Sequence, residues 1–385
     1  MNRHEEDRNP EEPRSPRYPK GSKIYHWGAW ELHANGKDTL DETDAVYQEA
    51  IAALPDCPEL IGNYAIFLHH RLKDYDHACQ VYERALAVAP THAHNLGAYA
   101  VFLEEIRGDF DGAEAVFSRA LDADPSHAIN VNNYARFLLY VRKDAARARQ
   151  VFEESIEHSS ENASLLASFA HFLQTELNDL DMAEVHYEKA AEAAPYDDAI
   201  LGDFALFLHE VRGKFDRAQE LYEKAEREDP DNASNLVNYA LFLSNIRKDF
   251  VKARSYFERA LLIAPDNASF LDHFATFLHV DSGELALARE VYERALAIAP
   301  EDANTMGNCA KLLFQVGDTK LALERLESAE TNTPSTDLAL HVELCFYRLA
   351  HDSGSWPNAL GRMRTLIEKG ARSPNWPLED TIERA

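Results

Sequence analysis

Apolar residues in this chain fall in short stripes at helical spacing, and the stripes recur. The stretch Pro230–Ala264, PDNASNLVNYALFLSNIRKDFVKARSYFERALLIA, holds two such stripes, one with Tyr239, Ala240 and Leu243 and one with Ala253, Phe257 and Ala260. Offsets of three and four put these residues on one face of a helix rather than the alternating face of a strand. A basic-acidic turn separates the two stripes, and Pro265 begins the same text again. Pro90, Pro125, Pro195, Pro230, Pro265 and Pro300 share one register, with 35 residues between successive members and Ser160 in the slot midway between Pro125 and Pro195. Pro55 extends the register backwards, and Pro334 extends it forwards after a shortened interval of 34. A fixed period of this length is the mark of a repeat architecture.

Eight full units run over residues 55–333, and the pattern predicts an all-α solenoid of antiparallel helix pairs. One slot of the first helix is always alanine, from Ala65, Ala100 and Ala135 to Ala240, Ala275 and Ala310, and three residues on stands a leucine such as Leu68, Leu103 or Leu243. An aromatic precedes the alanine in seven units (Tyr64, Tyr99, Tyr134, Phe169, Phe204, Tyr239, Phe274), and phenylalanine follows two residues after it in seven. The constant alanine predicts a position of close helix approach. Thr91, Ser126, Asp231 and Asp266 are placed to cap the first helices. Arg107, Arg142, Arg212 and Arg247 stand at their negative ends, and Gly108, Gly213 and Gly283 where a left-handed cap is needed. Asp74, Asp109, Asp144, Asp179 and Asp249 are placed to cap the second helices. A single unit has too little to bury to offset the entropy of ordering its chain, so the units must stack.

The flanks read differently. Residues 1–23 are charged, with Pro10, Pro13, Pro16 and Pro19, and predict a disordered tail. Residues 24–54 predict a degenerate capping repeat, with Trp27 and Trp30 on one face of a first helix and Val46, Tyr47, Ala50 and Ile51 in the register of a second. Residues 334–385 predict capping helices over Leu338–Ala350 and Pro357–Glu368 and a short last segment, Trp376–Ala385. All four tryptophans, Trp27, Trp30, Trp356 and Trp376, stand outside the regular units. A solenoid needs atypical ends to cover its stacking faces.

With Tyr/Phe-Ala, then Leu, then Ala, Phe/Tyr and Ala in the second helix, then Pro, the chain resembles the tetratricopeptide repeat (TPR) family. It departs from the usual 34-residue unit by one extra residue in the turn between the helices, and its wording NYAxFLxxxRxDxxxAxxxYERALxxxP is similar to that of long TPR arrays. The resemblance implies a right-handed superhelix whose first helices line a groove for a peptide or partner protein. The half-a-TPR repeat of RNA-processing scaffolds shares Y-E-R-A-L, but the proline-terminated period and the recurrent Tyr/Phe-Ala fit the ordinary TPR better.

On that framework the groove slot one turn into the first helix holds Asn63, Ala98, Asn133, Ser168, Asp203, Asn238, His273 and Asn308. In several TPR superhelices an asparagine ladder at this slot grips a peptide backbone, since an amide both donates and accepts; a solvated or capping role is the other reading. His171 and Asn245 are further groove candidates. TPR domains that bind acidic chaperone tails use basic residues at neighbouring slots. Here those hold Gly62, Gly97, Ala167, Gly202 and Val237, with only Arg136 and Lys311 basic, which disfavours a clamp for an acidic tail.

Charge changes the picture in one respect. With 66 acidic and 39 basic residues the formal charge is −27, which works against sequence-independent nucleic-acid binding. Only the units 125–159 and 230–264 carry more basic than acidic residues. Their Arg142, Lys143, Arg147, Arg149, Arg247, Lys248, Lys252 and Arg254 read either as solvated turns or as a surface for an acidic partner. Cys57, Cys79, Cys309 and Cys345 form no metal-like spacing, and Cys309 fills an aromatic slot, so a reduced, buried thiol in a cytoplasmic protein is expected. No apolar run reaches the length of a membrane span. No H-E-x-x-H, phosphate loop or nucleophile motif is present. Asn162, Asn232 and Asn267 match a glycosylation sequon, but each marks a helix start. The sequence thus predicts a non-enzymatic scaffold with a protein or peptide ligand and no cofactor, metal, nucleic acid or membrane. The alternative is the substrate-selecting subunit of an enzyme complex such as a transferase. Oligomeric state and partner identity are not legible.

Overall fold

The computed structural model describes residues 40–334, 337, 340–341, 343–345, 348 and 359–370. The tail over 1–23, the segment 24–33, the four tryptophans and the segment 376–385 lie outside the described residues. Every regular element among the described residues is a helix. The chain forms two compact units that divide after Ala194. In the first, α1 (Leu40–Ala53) precedes four helix pairs: α2 (Pro58–Phe67) with α3 (Tyr75–Val88), α4 (Ala93–Phe102) with α5 (Phe110–Ala123), α6 (Ala128–Tyr140) with α7 (Ala145–His158), and α8 (Ala163–Thr175) with α9 (Leu180–Ala193). In the second, the pairs are α10 (Asp198–Phe207) with α11 (Phe215–Glu228), α12 (Ala233–Phe242) with α13 (Phe250–Ile263), α14 (Ala268–Phe277) with α15 (Leu285–Ile298), and α16 (Ala303–Gln315) with α17 (Thr319–Asn332). Described residues between 340 and 348 are also helical, and α18 spans Ala359–Glu368. The fold is an all-α solenoid of antiparallel helix pairs.

The first helices start one residue later than the sequence predicts. Their caps are His92 and Asn232 rather than Thr91 and Asp231, and His127 and Asn267 rather than Ser126 and Asp266. The earlier residues are taken by the preceding turn: Ser126 donates both its hydroxyl and its N–H to Asp124, and Asp231 donates its N–H to Asp229. Asn162, Asn232 and Asn267 therefore recur because each accepts the N–H three residues on, at 3.0–3.2 Å. The aspartate caps of the second helices stand where the sequence puts them, with Asp74, Asp109, Asp144, Asp179 and Asp249 each accepting an N–H at 3.0–3.4 Å.

The turn between paired helices explains the period. In five repeats the first helix widens into a single π turn (Leu68–Leu72, Leu103–Arg107, Leu208–Arg212, Leu243–Arg247, Leu278–Ser282) before the chain reverses. A left-handed residue follows in every repeat. It is glycine at Gly108, Gly213, Gly283 and Gly317, but lysine or asparagine at Lys73, Lys143, Asn178 and Lys248. The next N–H then reaches back six residues, as Asp74 does to the Leu68 carbonyl at 3.0 Å and Asp249 to Leu243 at 3.0 Å. In the last repeat Asp318 reaches back only five, to Leu313 at 2.9 Å, so the residue missing from the 34-residue interval is missing from this turn.

Repeats meet through three aromatic rings. The second helix offers one ring to the two aromatics of the next first helix: Tyr82 lies 5.6 Å from Tyr99 and 5.4 Å from Phe102, and Phe117 lies 5.5 Å from both Tyr134 and Phe137. Phe152 with Phe169 and Phe172, Tyr222 with Tyr239 and Phe242, and Phe257 with Phe274 and Phe277 repeat the contact. Such pairs add about 0.5–1.5 kcal/mol each beyond their burial. In the last repeat Cys309 and Leu312 take the two slots, both buried, and burial pushes the Cys309 thiol up to about 11. The invariant alanines, Ala65 to Ala310, have no exposed surface.

Candidate interaction face

Two rows of slots run along the first helices, and where they hold polar residues they do different work. The deeper row contains Asn95, Asn130 and Asn235, all buried. Their amide nitrogens donate to main-chain carbonyls of the preceding first helix: Asn95 to Pro58 at 2.8 Å, Asn130 to Ala93 at 2.8 Å and Asn235 to Asp198 at 2.9 Å. The amide oxygen then rests against a glycine. A Cβ on Gly62, Gly97 or Gly202 would lie 1.9–2.0 Å from the oxygen of Asn95, Asn130 or Asn235. Those glycines are thus buried under the next repeat and are not groove positions, which corrects the reading of Gly62, Gly97 and Gly202 as slots beside the asparagine ladder. Val237 is buried as well. The sequence did hold the signal, in a glycine followed by an asparagine 33 residues later, three times over.

The outer row consists of residues spaced zero, three and seven along each first helix, which share one helical face. It runs Asn63, Ile66 and His70 in the first repeat, Ala98, Val101 and Glu105 in the second, and Asn133, Arg136 and Tyr140 in the third. In the second unit it includes Leu206 and Glu210, Asn238, Leu241 and Asn245, and His273, Thr276 and Val280. All of these are half-buried or exposed. The amides of Asn63, Asn133 and Asn238 make no side-chain hydrogen bond within the described chain, and Asn245 and His171 are exposed. Thr175 donates to the main-chain carbonyl of His171 at 2.9 Å. His273 is half-buried beside Asp272, whose carboxyl is raised by burial.

The remaining candidates are held by their own chain. Asn308 donates to Asp272 at 3.3 Å and accepts from Lys311 at 3.4 Å, and Lys311 pairs with Glu343. Arg136 lies 3.8 Å from Glu176 and over the ring of Tyr140, whose hydroxyl donates to the same carboxylate. The two basic units are likewise engaged internally. Arg142 binds Asp111 and Glu114, Arg147 binds Glu114, Arg149 binds Asp179, Arg247 binds Asp216, and Arg254 binds Glu258 and Glu284. Lys143 and Lys248 are the left-handed turn residues. Arg107, Arg142 and Arg247 also lie 5.3–5.5 Å over Phe102, Phe137 and Phe242, which fixes their reach back to the preceding second helix.

Histidines on the first helices suggest a polar groove from sequence alone, but His69 and His209 lie buried between the two rows. His69 and His209 are buried edge-on to Phe102 and Phe242 at 5.2 and 5.0 Å, and burial disfavours their charged form, taking His69 to about 4. On the second repeat Glu104 is raised by burial and by the adjoining charge of Glu105, with Arg136 opposing the shift.

Three family models, each described as tetratricopeptide repeat, match residues 62–92, residues 107–163 and 208–268, and residues 279–340. Together these stretches cover more than half of the chain. The chain belongs to the tetratricopeptide repeat family. A TPR protein from Parabacteroides merdae superposes with a TM-score of 0.50 at 16% identity, covering 66% of this chain and 97% of that one. The chain of the APC/C hetero-tetramer Cut9–Hcn1 superposes with a TM-score of 0.50 at 17% identity, covering 84% of this TPR chain and 62% of its own. At these identities the likeness is one of fold. No curated protein matches by sequence. Among the described residues no group of three or more His, Cys, Asp or Glu side chains is arranged to hold a metal ion, and no helix is long and apolar enough to cross a membrane.

Proposed function

We propose that this TPR protein is a non-enzymatic scaffold that holds an extended peptide or partner segment along the outer row of the first helices of either compact unit. The fold is that of a protein–protein interaction scaffold. The observation that carries the finer reading is the contrast between asparagines in two slots three residues apart on the first helices. Asn95, Asn130 and Asn235 are consumed in packing, whereas Asn63, Asn133 and Asn238 present amides with no partner among the described residues. A neutral amide at a half-buried surface is well suited to a peptide unit, because it offers both donor and acceptor whatever the partner's sequence. The arginines of the two basic units are tied to neighbouring carboxylates and do not compete as a recognition surface.

Partner capture with the immobilised protein, repeated with Asn63→Ala/Asn133→Ala/Asn238→Ala, tests this reading. A partner retained by the native protein should be lost or weakened in the triple variant at unchanged melting temperature. Equal retention by both would sink the outer-row reading and move attention to the second helices.

A further inference from the structure

In the first unit the second repeat carries two acids near the end of its first helix, Glu105 on the outer row and Glu104 beside it, and the outer rows of the flanking repeats carry two uncommitted amides. Glu105 is exposed and Glu104 half-buried, with Asn63 on the helix before and Asn133 on the helix after. Among the described residues neither acid forms an ion pair with a lysine or arginine. Glu105 lies 3.9 Å from Nε2 of His69, an imidazole that is 3% exposed and kept neutral by burial. Arg136, the cation nearest Glu104, is turned towards Glu176. Like charges are thus held together with no cation in ion-pair contact among the described residues, Arg136 acting on Glu104 only from beyond that range.

The ground behind the pair is also incomplete. The hydroxyl of Tyr82 is buried with no hydrogen-bond partner and lies in the field of Glu105, and Nδ1 of His69, whose ring packs edge-on to Tyr82 at 6.5 Å, is unpartnered too. The seventh repeat shows how the same arrangement looks when its own chain completes it. There the Tyr292 hydroxyl meets that of Thr276 at 3.0 Å, and Nε2 of His279 meets Gln315 at 2.8 Å. In the first two repeats Ile66 replaces Thr276 and Glu105 replaces Gln315. An amide that closes the site has become a charge that opens it.

We infer that Glu104 and Glu105 receive a lysine or arginine side chain from an extended partner segment, whose backbone is paired on either side by Asn63 and Asn133. This rests on the outer-row reading above and names the chemistry of its occupant. Charged hydrogen bonds to two carboxylates suit an ammonium or guanidinium. Packed helices lie about 8–10 Å apart, so amides two helices apart are spanned by about five or six extended residues at about 3.3 Å each, with the basic residue near the middle. Ala98, between the two asparagines on this row, is small enough to let a backbone approach.

The test is an array of ten-residue peptides randomised except at one central position, fixed in turn as lysine, arginine, norleucine, glutamine or glutamate, and probed with the full chain. Lysine and arginine pools should be retained above norleucine and glutamate pools, and Glu104→Gln/Glu105→Gln should lower that retention about three- to tenfold, as loss of a partly desolvated charge pair does. Asn63→Ala/Asn133→Ala should weaken all pools alike. Retention without preference for a basic centre, or a preference unchanged in Glu104→Gln/Glu105→Gln, overturns the inference and leaves the outer-row reading standing. No retention of any pool overturns both. Retention that appears only after residues 1–23 are deleted makes the basic stretch Arg14–Lys23 of this chain the occupant and overturns the assignment to a separate partner.

Discussion

Asn95 and Ala98, Asn130 and Asn133, and Asn235 and Asn238 are pairs of positions three residues apart on the same helices, yet the first of each pair builds the solenoid and the second faces outwards. The deeper asparagine is held at both ends, its nitrogen on a carbonyl of the previous helix and its oxygen on a glycine that cannot be anything larger. The outer one touches neither. The difference teaches that a recurrent polar residue in a repeat array is not by itself a binding residue. Less than one helical turn decides whether an amide meets the neighbouring repeat or solvent, and only the inner one must be matched by a residue in the preceding unit.

If that division is right, the strongest disturbance comes from filling the glycine side of the deeper row. Gly97→Leu adds a Cβ that would lie 1.9 Å from the Asn130 amide oxygen, and should cost about 3 kcal/mol through overpacking and a lost buried hydrogen bond. Urea unfolding that matches the native protein would show that the rows have been assigned to the wrong faces. Acid should act on buried imidazoles of both helices of a pair, His69 in a π turn and His186 on α9. Burial takes His69 and His186 from the ordinary 6.5 to about 4. The unfolded chain therefore takes up protons first, and the stability these groups contribute is whole above pH 6.5 and is lost as pH falls towards 4. In His69→Leu, the residue already present at Leu139 in the matching slot, the drop in unfolding midpoint between pH 7 and pH 5 should be smaller. An identical drop would mean that His69 is not buried in solution.

A double-mutant cycle sharpens the contrast further. Asn95→Ala leaves the Pro58 carbonyl without its partner and should cost about 1–3 kcal/mol, while Gly62→Ala collides with the Asn95 amide. Because removing the amide relieves the collision, the double variant should be more stable than the sum of the two predicts, by about 0.5 kcal/mol or more. Strict additivity would argue against a glycine–asparagine lock. The smallest effect belongs to the outer row, where Asn133→Ala should change stability by no more than about 0.5 kcal/mol, with any loss appearing in partner binding alone.

Much of this was legible in the primary text. The constant alanines, the Tyr/Phe and Phe pairs, the aspartate caps of the second helices and the residue added to the intra-repeat turn all follow from local rules that each unit obeys separately. The left-handed turn was half legible: Gly108, Gly213 and Gly283 announce it, but Lys73, Lys143, Asn178 and Lys248 adopt it because the reach-back hydrogen bond holds them there, at a strain of about 1–2 kcal/mol each. First-helix caps were missed by one residue because Ser126 and Asp231 had a competing acceptor in the preceding turn. The basic clusters looked available because ion pairs across about 30 residues have no local signature.

By itself, then, the sequence determined the repeat, its helices, the stacking residues and the family, since those depend on spacing within one unit and the same spacing is written eight times. Which polar groups remain for a partner was decided only in three dimensions. Arg142, Lys311 and Asn95 are committed, and Asn63, Asn133 and Glu105 are paired with no lysine, arginine or carbonyl among the described residues, because availability depends on what the neighbouring repeat brings against each side chain.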